Sequence, residues 1–194
     1  AGATWTPVAA AKTADGTAPT WYSLAFGNGT FVAVAPGARA ASADGEAWAV
    51  ESGVRSDSAG SFVAFGNGVF VATATGGVAT SKDGRAWTYR PVPGVSYPAA
   101  LAYGNGTWVV ADNRYDAQDY VGFLVSKDDG VTWEIVKNAL AWGVPTGMAY
   151  ADGKFMLVGD RGMIATSTNG RTWKTATLSP DATTKDGLLR GPVY

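Results

Sequence analysis

The chain contains neither cysteine nor histidine among its 194 residues. The lack of cysteine excludes disulfide bonds, thiolate metal sites and cysteine nucleophiles. The lack of histidine removes the most common general base, the usual zinc ligand and any Ser-His-Asp triad. No motif for a metal ion or a cofactor is present, so we predict that the chain uses neither.

Charged side chains are few and balanced, with 16 Asp and Glu against 15 Lys and Arg. They are scattered singly, so the sequence lacks the basic stripe of a nucleic-acid-binding protein. No run of about 18 apolar residues occurs, which predicts no membrane insertion. The numbered sequence also has no signal-peptide pattern, which is compatible with cytoplasmic synthesis, although a removed signal peptide would leave the same sequence.

Two landmarks recur four times in a fixed order. The first is a Gly-Asn-Gly or Ala-Asp-Gly turn between two aromatic residues, at 26–31, 65–70, 103–108 and 150–155. The second, which we call the box, is a Ser-x-Asp/Asn-Gly turn that ends in tryptophan, at 42–48, 81–87, 126–133 and 167–173. Trp5 stands at a similar spacing before the first box tryptophan. These regularities identify a repeat protein.

A period near 40 residues with several short strands per repeat is typical of a propeller blade. The Asn-Gly turn suits a two-residue hairpin, because Asn and Gly tolerate positive φ. In the first repeat we predict strands at 22–26, 31–35 and 39–42, and a fourth strand that carries Trp48 and Val50. Continuous apolar strands are typical of sheets covered on both faces. The sequence therefore predicts an all-β fold, a small β-propeller of four complete four-stranded blades.

We predict one domain over 1–194, with repeats at about 21–51, 60–90, 99–136 and 146–177. An N-terminal strand at 3–8 matches the strand that follows a box, and the tail is 178–194. Three arrangements remain open. The N-terminal strand closes a reduced fifth blade, or the missing strands come from another chain, or both ends lie outside a four-bladed ring.

The boxes resemble the Asp-box, or bacterial neuraminidase repeat, of sialidases and of many bacterial and phage propellers. The box at 126–133 fits the pattern Ser-x-Asp-x-Gly-x-Thr-Trp throughout. The resemblance implies a propeller whose boxes are structural turns on the rim, away from any active site. Chemistry agrees, because Asp can accept the N–H groups of its own turn and Gly supplies a left-handed residue. We therefore predict structural roles for Ser42, Asp44, Trp48, Ser81, Asp83, Trp87, Ser126, Asp128, Trp133, Ser167, Asn169 and Trp173.

A sialidase, by the same resemblance, needs an arginine cluster, a tyrosine nucleophile with its glutamate, and an acid aspartate on a six-bladed ring. This chain has only the glutamates Glu46, Glu51 and Glu134, and two of them lie inside or beside boxes. Its arginines do not recur at one position of the repeat. We therefore predict no catalytic residues and no enzymatic activity.

An insertion at 112–120 separates the second and third strands of the third repeat, and such insertions often form a binding face. The candidates for contact with a ligand or partner are Asp112, Arg114, Tyr115, Asp116, Asp119 and Tyr120, together with Trp142, which lies off the repeat register. The tyrosines can stack on a sugar or dock a protein, and the aspartates can hold Ca²⁺, although no EF-hand spacing is present. A solvated loop is the remaining interpretation.

These observations predict a non-catalytic scaffold for protein or glycan contacts, with a protein partner or a homo-oligomer. The resemblance to phage propellers suggests a structural component of a phage virion, associated with the tail or capsid. The alternative is a secreted lectin-like carbohydrate-binding module. A glycosidase-related enzyme ranks third.

Overall fold

The computed structural model describes residue 7 and residues 11–52, 62–95, 97–113, 120–141 and 144–175, with the backbone alone described at 120–121 and 138–141. These residues form four sheets, each of four antiparallel strands. No helix occurs in the described ranges, and hence none there that is long and apolar enough to cross a membrane.

Each sheet is one blade, and its strands follow chain order. Blade 1 contains β1 (Ser23–Gly27), β2 (Thr30–Ala35), β3 (Ala38–Ser42) and β4 (Ala49–Ser52). Blade 2 contains β5 (Val63–Gly66), β6 (Val69–Ala74), β7 (Gly77–Ser81) and β8 (Thr88–Pro91). Blade 3 contains β9 (Pro98–Gly104), β10 (Thr107–Asn113), β11 (Tyr120–Ser126) and β12 (Glu134–Ala141). Blade 4 contains β13 (Pro145–Ala151), β14 (Lys154–Gly159), β15 (Ile164–Ser167) and β16 (Lys174–Thr175). The predicted four blades of four strands are confirmed.

The first landmark forms the hairpin between the first two strands of each blade. Asn28 has a φ of 47° and Gly29 a φ of 72°, and the equivalent pairs in the other blades have the same signs. The turn places the flanking aromatics opposite each other, so that Phe26 pairs with Phe31 and their ring centroids lie 4.4 Å apart. The turn residues therefore fix the register of each blade.

Successive blades pack face to face, and the core lies between them. All six residues of β6 are buried, as expected for a sheet covered on both sides. Trp173 of blade 4 stacks on Phe123 of blade 3, with ring centroids 4.5 Å apart. Each box tryptophan lies one residue before the fourth strand, so the prediction that Trp48 is part of that strand is wrong by one residue.

The proposed fifth blade depends on 3–8 and 178–194, of which the structure describes only residue 7, outside any strand. It therefore stays a prediction, as do the strands expected from another chain. The third blade extends beyond the predicted end at 136, because β11 and β12 remain paired as far as Tyr120 and Ala141.

Candidate functional site

The boxes are turns whose polar side chains bind within the turn itself. Asp44 Oδ1 accepts the N–H groups of Glu46 at 2.8 Å and Ala47 at 2.9 Å. Ser42 Oγ donates to Asp44 Oδ1 at 2.9 Å and accepts the N–H of Gly45 at 2.9 Å. The N–H of Ala47, followed by that of Glu46, holds the pKa of Asp44 below its ordinary value. The carboxylate is thus engaged by its own backbone.

The other boxes repeat this arrangement. Asp83 Oδ1 accepts two backbone N–H groups at 2.8 Å, and Asp128 Oδ1 accepts the N–H of Thr132 at 2.9 Å. Hydrogen bonds lower the pKa of both carboxyl groups, chiefly from Arg85 N–H for Asp83 and from the Thr132 side chain for Asp128. In the fourth box Asn169 Oδ1 accepts the corresponding N–H groups at 2.8 and 2.9 Å. An uncharged acceptor therefore builds the same turn as a carboxylate.

Asp112 belongs to the core and lies in β10, so its assignment to the insertion between the second and third strands is wrong. It lies in β10 with 0% exposure, and its Oδ1 accepts the N–H of Tyr97 at 2.7 Å. A buried carboxylate needs such a donor, and this bond ties β10 to the start of blade 3. The segment between β10 and β11 is accordingly shorter than the predicted insertion at 112–120.

The remaining candidates fall largely outside the described residues. Tyr120 is described through its backbone, which pairs with that of Ala141 in blade 3. Arg114, Tyr115, Asp116, Asp119 and Trp142 lie outside the described ranges. Their roles in binding stay predictions. Within the described ranges, no three His, Cys, Asp or Glu side chains lie together as a metal site.

A glycine ends the first strand in blades 1 to 3, and an aromatic ring of the next blade packs directly on it. A β carbon added to Gly27 would lie 2.1 Å from the ring of Phe65. The corresponding distances are 2.3 Å from Gly66 to Tyr103 and 2.0 Å from Gly104 to Tyr150. Only glycine leaves room for these rings, so the contact links the first strands of neighbouring blades.

Two further kinds of contact join neighbouring blades, one made by the box glycine and one, between blades 1 and 2, made by Asn28. The box glycine packs on the second strand of the preceding blade: a β carbon on Gly84 would lie 2.4 Å from Val32, and one on Gly170 would lie 2.4 Å from Val109. Asn28 Nδ2 donates to the carbonyls of Gly68 at 3.0 Å and Lys82 at 2.8 Å in blade 2. The first landmark and the box therefore form the interface between blades.

Blade 1 exposes the apolar side chains that other blades bury against a neighbour. Tyr22, Leu24 and Phe26, which we call the blade-1 face, are 61%, 59% and 56% exposed. The residues equivalent to Leu24 in the next two blades, Val63 and Leu101, are each only 6% exposed. The blade-1 face is therefore an interface surface that no described sheet covers. Sequence reasoning missed it because Phe26 and Phe65 occupy identical motifs.

A cleft of about 250 Å³ opens between blades 1 and 2, beside Arg39, Glu51 and Arg85. Arg39 Nη2 lies 3.3 Å from Glu51 Oε2, and its guanidinium lies 4.9 Å from the centre of the Trp87 ring. Arg39 Nε is buried without a hydrogen-bond partner among the described residues. Burial lowers the pKa of Arg39, although Glu51 opposes this shift. The other blades carry apolar residues at this position, namely Val78, Phe123 and Ile164.

A second cleft of about 500 Å³ lies between the boxes of blades 2 and 3. It is lined by cations, including Lys82 and Arg90, and by carboxylates. Asp83 and Asp128 are engaged in their own turns, and Asp129 accepts a hydrogen bond from Asn67 at 2.8 Å. This mixed lining gives the cleft no preference for ions of one sign.

No protein-family model and no curated protein matches the chain. Among solved structures, virginiamycin B lyase from Staphylococcus aureus aligns with a TM-score of 0.71 at 15% identity, over 93% of this chain and 64% of the lyase. YCF48 bound to D1 peptide aligns with a TM-score of 0.58 at 16% identity, over 89% of this chain and 57% of YCF48. A chain of the nidogen/laminin complex aligns with a TM-score of 0.55 at 12% identity, over 89% of this chain and 84% of that chain.

These similarities concern the fold, because all three identities are far below the level at which function transfers. The chain spans less than two thirds of the lyase and of YCF48. Together with the four sheets described above, they show that the chain has a β-propeller fold.

Proposed function

We propose that this chain is a non-catalytic β-propeller scaffold that binds a protein through the blade-1 face. The observation that carries the proposal is the exposure of Leu24 and Phe26, at 59% and 56%, where the repeat elsewhere buries Leu101 at 6%. A contiguous exposed apolar patch on a folded domain commonly marks an interaction surface. Its aromatic and aliphatic side chains suit the apolar centre of a protein interface.

The proposed lack of catalysis is supported by the state of the acidic groups. The carboxylates of Asp44, Asp83 and Asp128 accept hydrogen bonds from their own turns, and Asn169 takes the same place in the fourth box. Replacement of one histidine by alanine gives a catalytically inactive virginiamycin B lyase. The present chain has no histidine, so it cannot supply the same group.

Two of the similar structures support a role in protein contacts. YCF48 is bound to a peptide, and the third similar chain belongs to the nidogen/laminin complex. The lectin-like alternative depends on the side chains of Tyr115 and Tyr120, which lie outside the description, and it stays a prediction. Assembly into a phage virion also stays a prediction.

The test compares wild type, Phe26→Lys and the control Val131→Lys on protein arrays and glycan arrays. Val131 is 50% exposed but lies in the box of blade 3, away from the blade-1 face. We expect protein ligands that bind wild type and the control but not Phe26→Lys. Glycan binding alone, turnover of a sialoside, or protein binding that Phe26→Lys leaves unchanged would contradict the proposal.

A further inference from the structure

We infer that the four described blades have one open end, the blade-1 face, and one capped end, blade 4, and that the open end binds a propeller blade of the same repeat type on a partner protein. This inference rests on the proposed function and names the kind of partner that the blade-1 face fits. Three residues of blade 4 prevent a second copy of the chain from being that partner.

The three interfaces inside the chain define what a blade needs in order to accept the next blade. It presents a glycine at the end of its first strand, as Gly104 does for Tyr150. It presents a β-branched apolar residue to the next box glycine, as Val109 does for Gly170. Blade 1 also presents an amide donor, Asn28, to blade 2.

Blade 4 differs at each of these three positions. Ala151 replaces the glycine, and a methyl group at that position would lie only 2.0 to 2.3 Å from the ring in the three internal interfaces. Asp152 replaces the asparagine, and a carboxylate has no N–H to donate. Met156 replaces the valine and is 40% exposed, whereas Val71 is fully buried. Blade 4 therefore lacks the residues with which the internal interfaces accept a following blade.

Blade 1 keeps the aromatic residue, the aliphatic residue and the box glycine that the other blades use to pack on a preceding blade. Phe26 corresponds to Phe65, and Leu24 corresponds to Leu101. A β carbon on Gly45, the first box glycine, would meet only Phe31 of its own blade, at 3.8 Å. The surface is complete on blade 1, and no described sheet supplies its counterpart.

The partner's chemistry follows from this comparison. It is a sheet face with a glycine opposite Phe26, an asparagine amide that reaches the carbonyls of Gly29 and Ala43, and a β-branched apolar side chain over Gly45. The two carbonyls are equivalent to those of Gly68 and Lys82, which accept from Asn28 in the first internal interface. A blade with the Gly-Asn-Gly landmark and a valine after its second aromatic, as in blades 1 to 3, meets all three requirements, and the wild-type blade 4 meets none.

The test uses a donor variant of the same chain, with A151G, D152N and M156V to restore the three positions and F26K to block its own open end. Wild type and donor are mixed and examined by light scattering after size-exclusion chromatography. Wild type alone should be monomeric, and wild type with donor should form a one-to-one complex. Placing L24K or F26K in the wild-type partner should weaken that complex by about tenfold or more, the effect of removing a central apolar anchor.

Two controls keep the result interpretable. F26K alone, without the three restored positions, should not bind wild type. Circular dichroism and thermal unfolding establish that every variant is folded before it is mixed.

Three results would overturn the inference: self-association of wild type through Met156, no complex between wild type and a folded donor, or a complex that survives F26K in wild type. If the donor fails while array ligands still depend on Phe26, only this inference is wrong. If neither binds through Phe26, the proposed function is wrong as well.

Discussion

The ring of Tyr150 packs so closely on Gly104 that a β carbon on the glycine would lie 2.0 Å from the ring. The same contact joins Phe65 to Gly27 and Tyr103 to Gly66. One residue pair per interface therefore sets how closely successive blades approach. At the fourth blade the glycine is replaced by Ala151, and at the first blade no glycine of a described sheet lies against the aromatic ring of Phe26.

The first prediction concerns this glycine. Gly104→Ala should destabilise the chain by about 1–3 kcal/mol, because the added methyl group forces the Tyr150 ring out of its place. The measurement is urea unfolding followed by tryptophan fluorescence. Ala151→Gly is the matched control and should change the free energy of unfolding little, since no described ring packs there. Equal effects of the two changes would show that the glycine does not serve the interface.

The second prediction concerns Arg39. Arg39→Leu should raise the free energy of unfolding by about 1 kcal/mol, because it removes a buried charge and an unpaired Nε–H. Val78, Phe123 and Ile164 show that this position accepts apolar side chains. The gain is reduced by loss of the contact with the Trp87 ring.

Thermal unfolding measures the effect of Arg39→Leu, and Glu51→Gln is the companion variant. Glu51→Gln should be destabilising, because it leaves the Arg39 charge without its counter-ion. A destabilised Arg39→Leu would instead indicate that the guanidinium contributes to the fold.

The third prediction concerns acid stability. The pKa values of Asp44 and Asp83 are lowered in the folded chain, so their stabilising contribution is present above the ordinary aspartate pKa of about 4. It is lost as the pH falls through the lowered values. Replacing both residues by Asn should flatten the dependence of stability on pH between about pH 5 and pH 2. Asn169 shows that Asn can accept the same N–H groups. Parallel pH profiles for wild type and the double variant would refute the linkage.

Much of the fold could be predicted because its determinants are local. Asn28, Gly29 and their equivalents in the other three blades all adopt positive φ. The box is closed by hydrogen bonds between residues only a few positions apart. Such features depend on the nearby sequence alone. The predicted strand ends differ from the observed ones by one or two residues in blade 1.

The features that could not be predicted depend on distant residues. Phe26 and Phe65 belong to the same motif, yet among the described sheets one packs on Phe65 and none packs on Phe26. The Gly-Asn-Gly sequence predicts that both glycines serve the turn, but Gly27 lacks positive φ and instead accommodates a ring. The polar sequence at 112–120 predicts a loop that includes Asp112, because nothing in the sequence indicates the bond from Tyr97 N–H to its carboxylate.

The blade-1 face carries the side chains of a blade interface, and no described sheet covers it. One pair of substitutions tests this arrangement. Phe26 and Phe65 each pair with the aromatic of their own hairpin, at 4.4 and 4.8 Å between ring centroids. They differ in that Phe65 packs on Gly27 of the preceding blade, whereas Phe26 is exposed. The measurement is the free energy of unfolding of Phe26→Ala and Phe65→Ala in dilute solution.

Phe65→Ala should cost about 3 kcal/mol, as expected for removal of a ring packed in a core. Phe26→Ala should cost less than about 1 kcal/mol, since an exposed ring loses little beyond its pair contact. Equal losses would mean that Phe26 is covered in the folded chain, and the account of an open blade-1 face would be wrong.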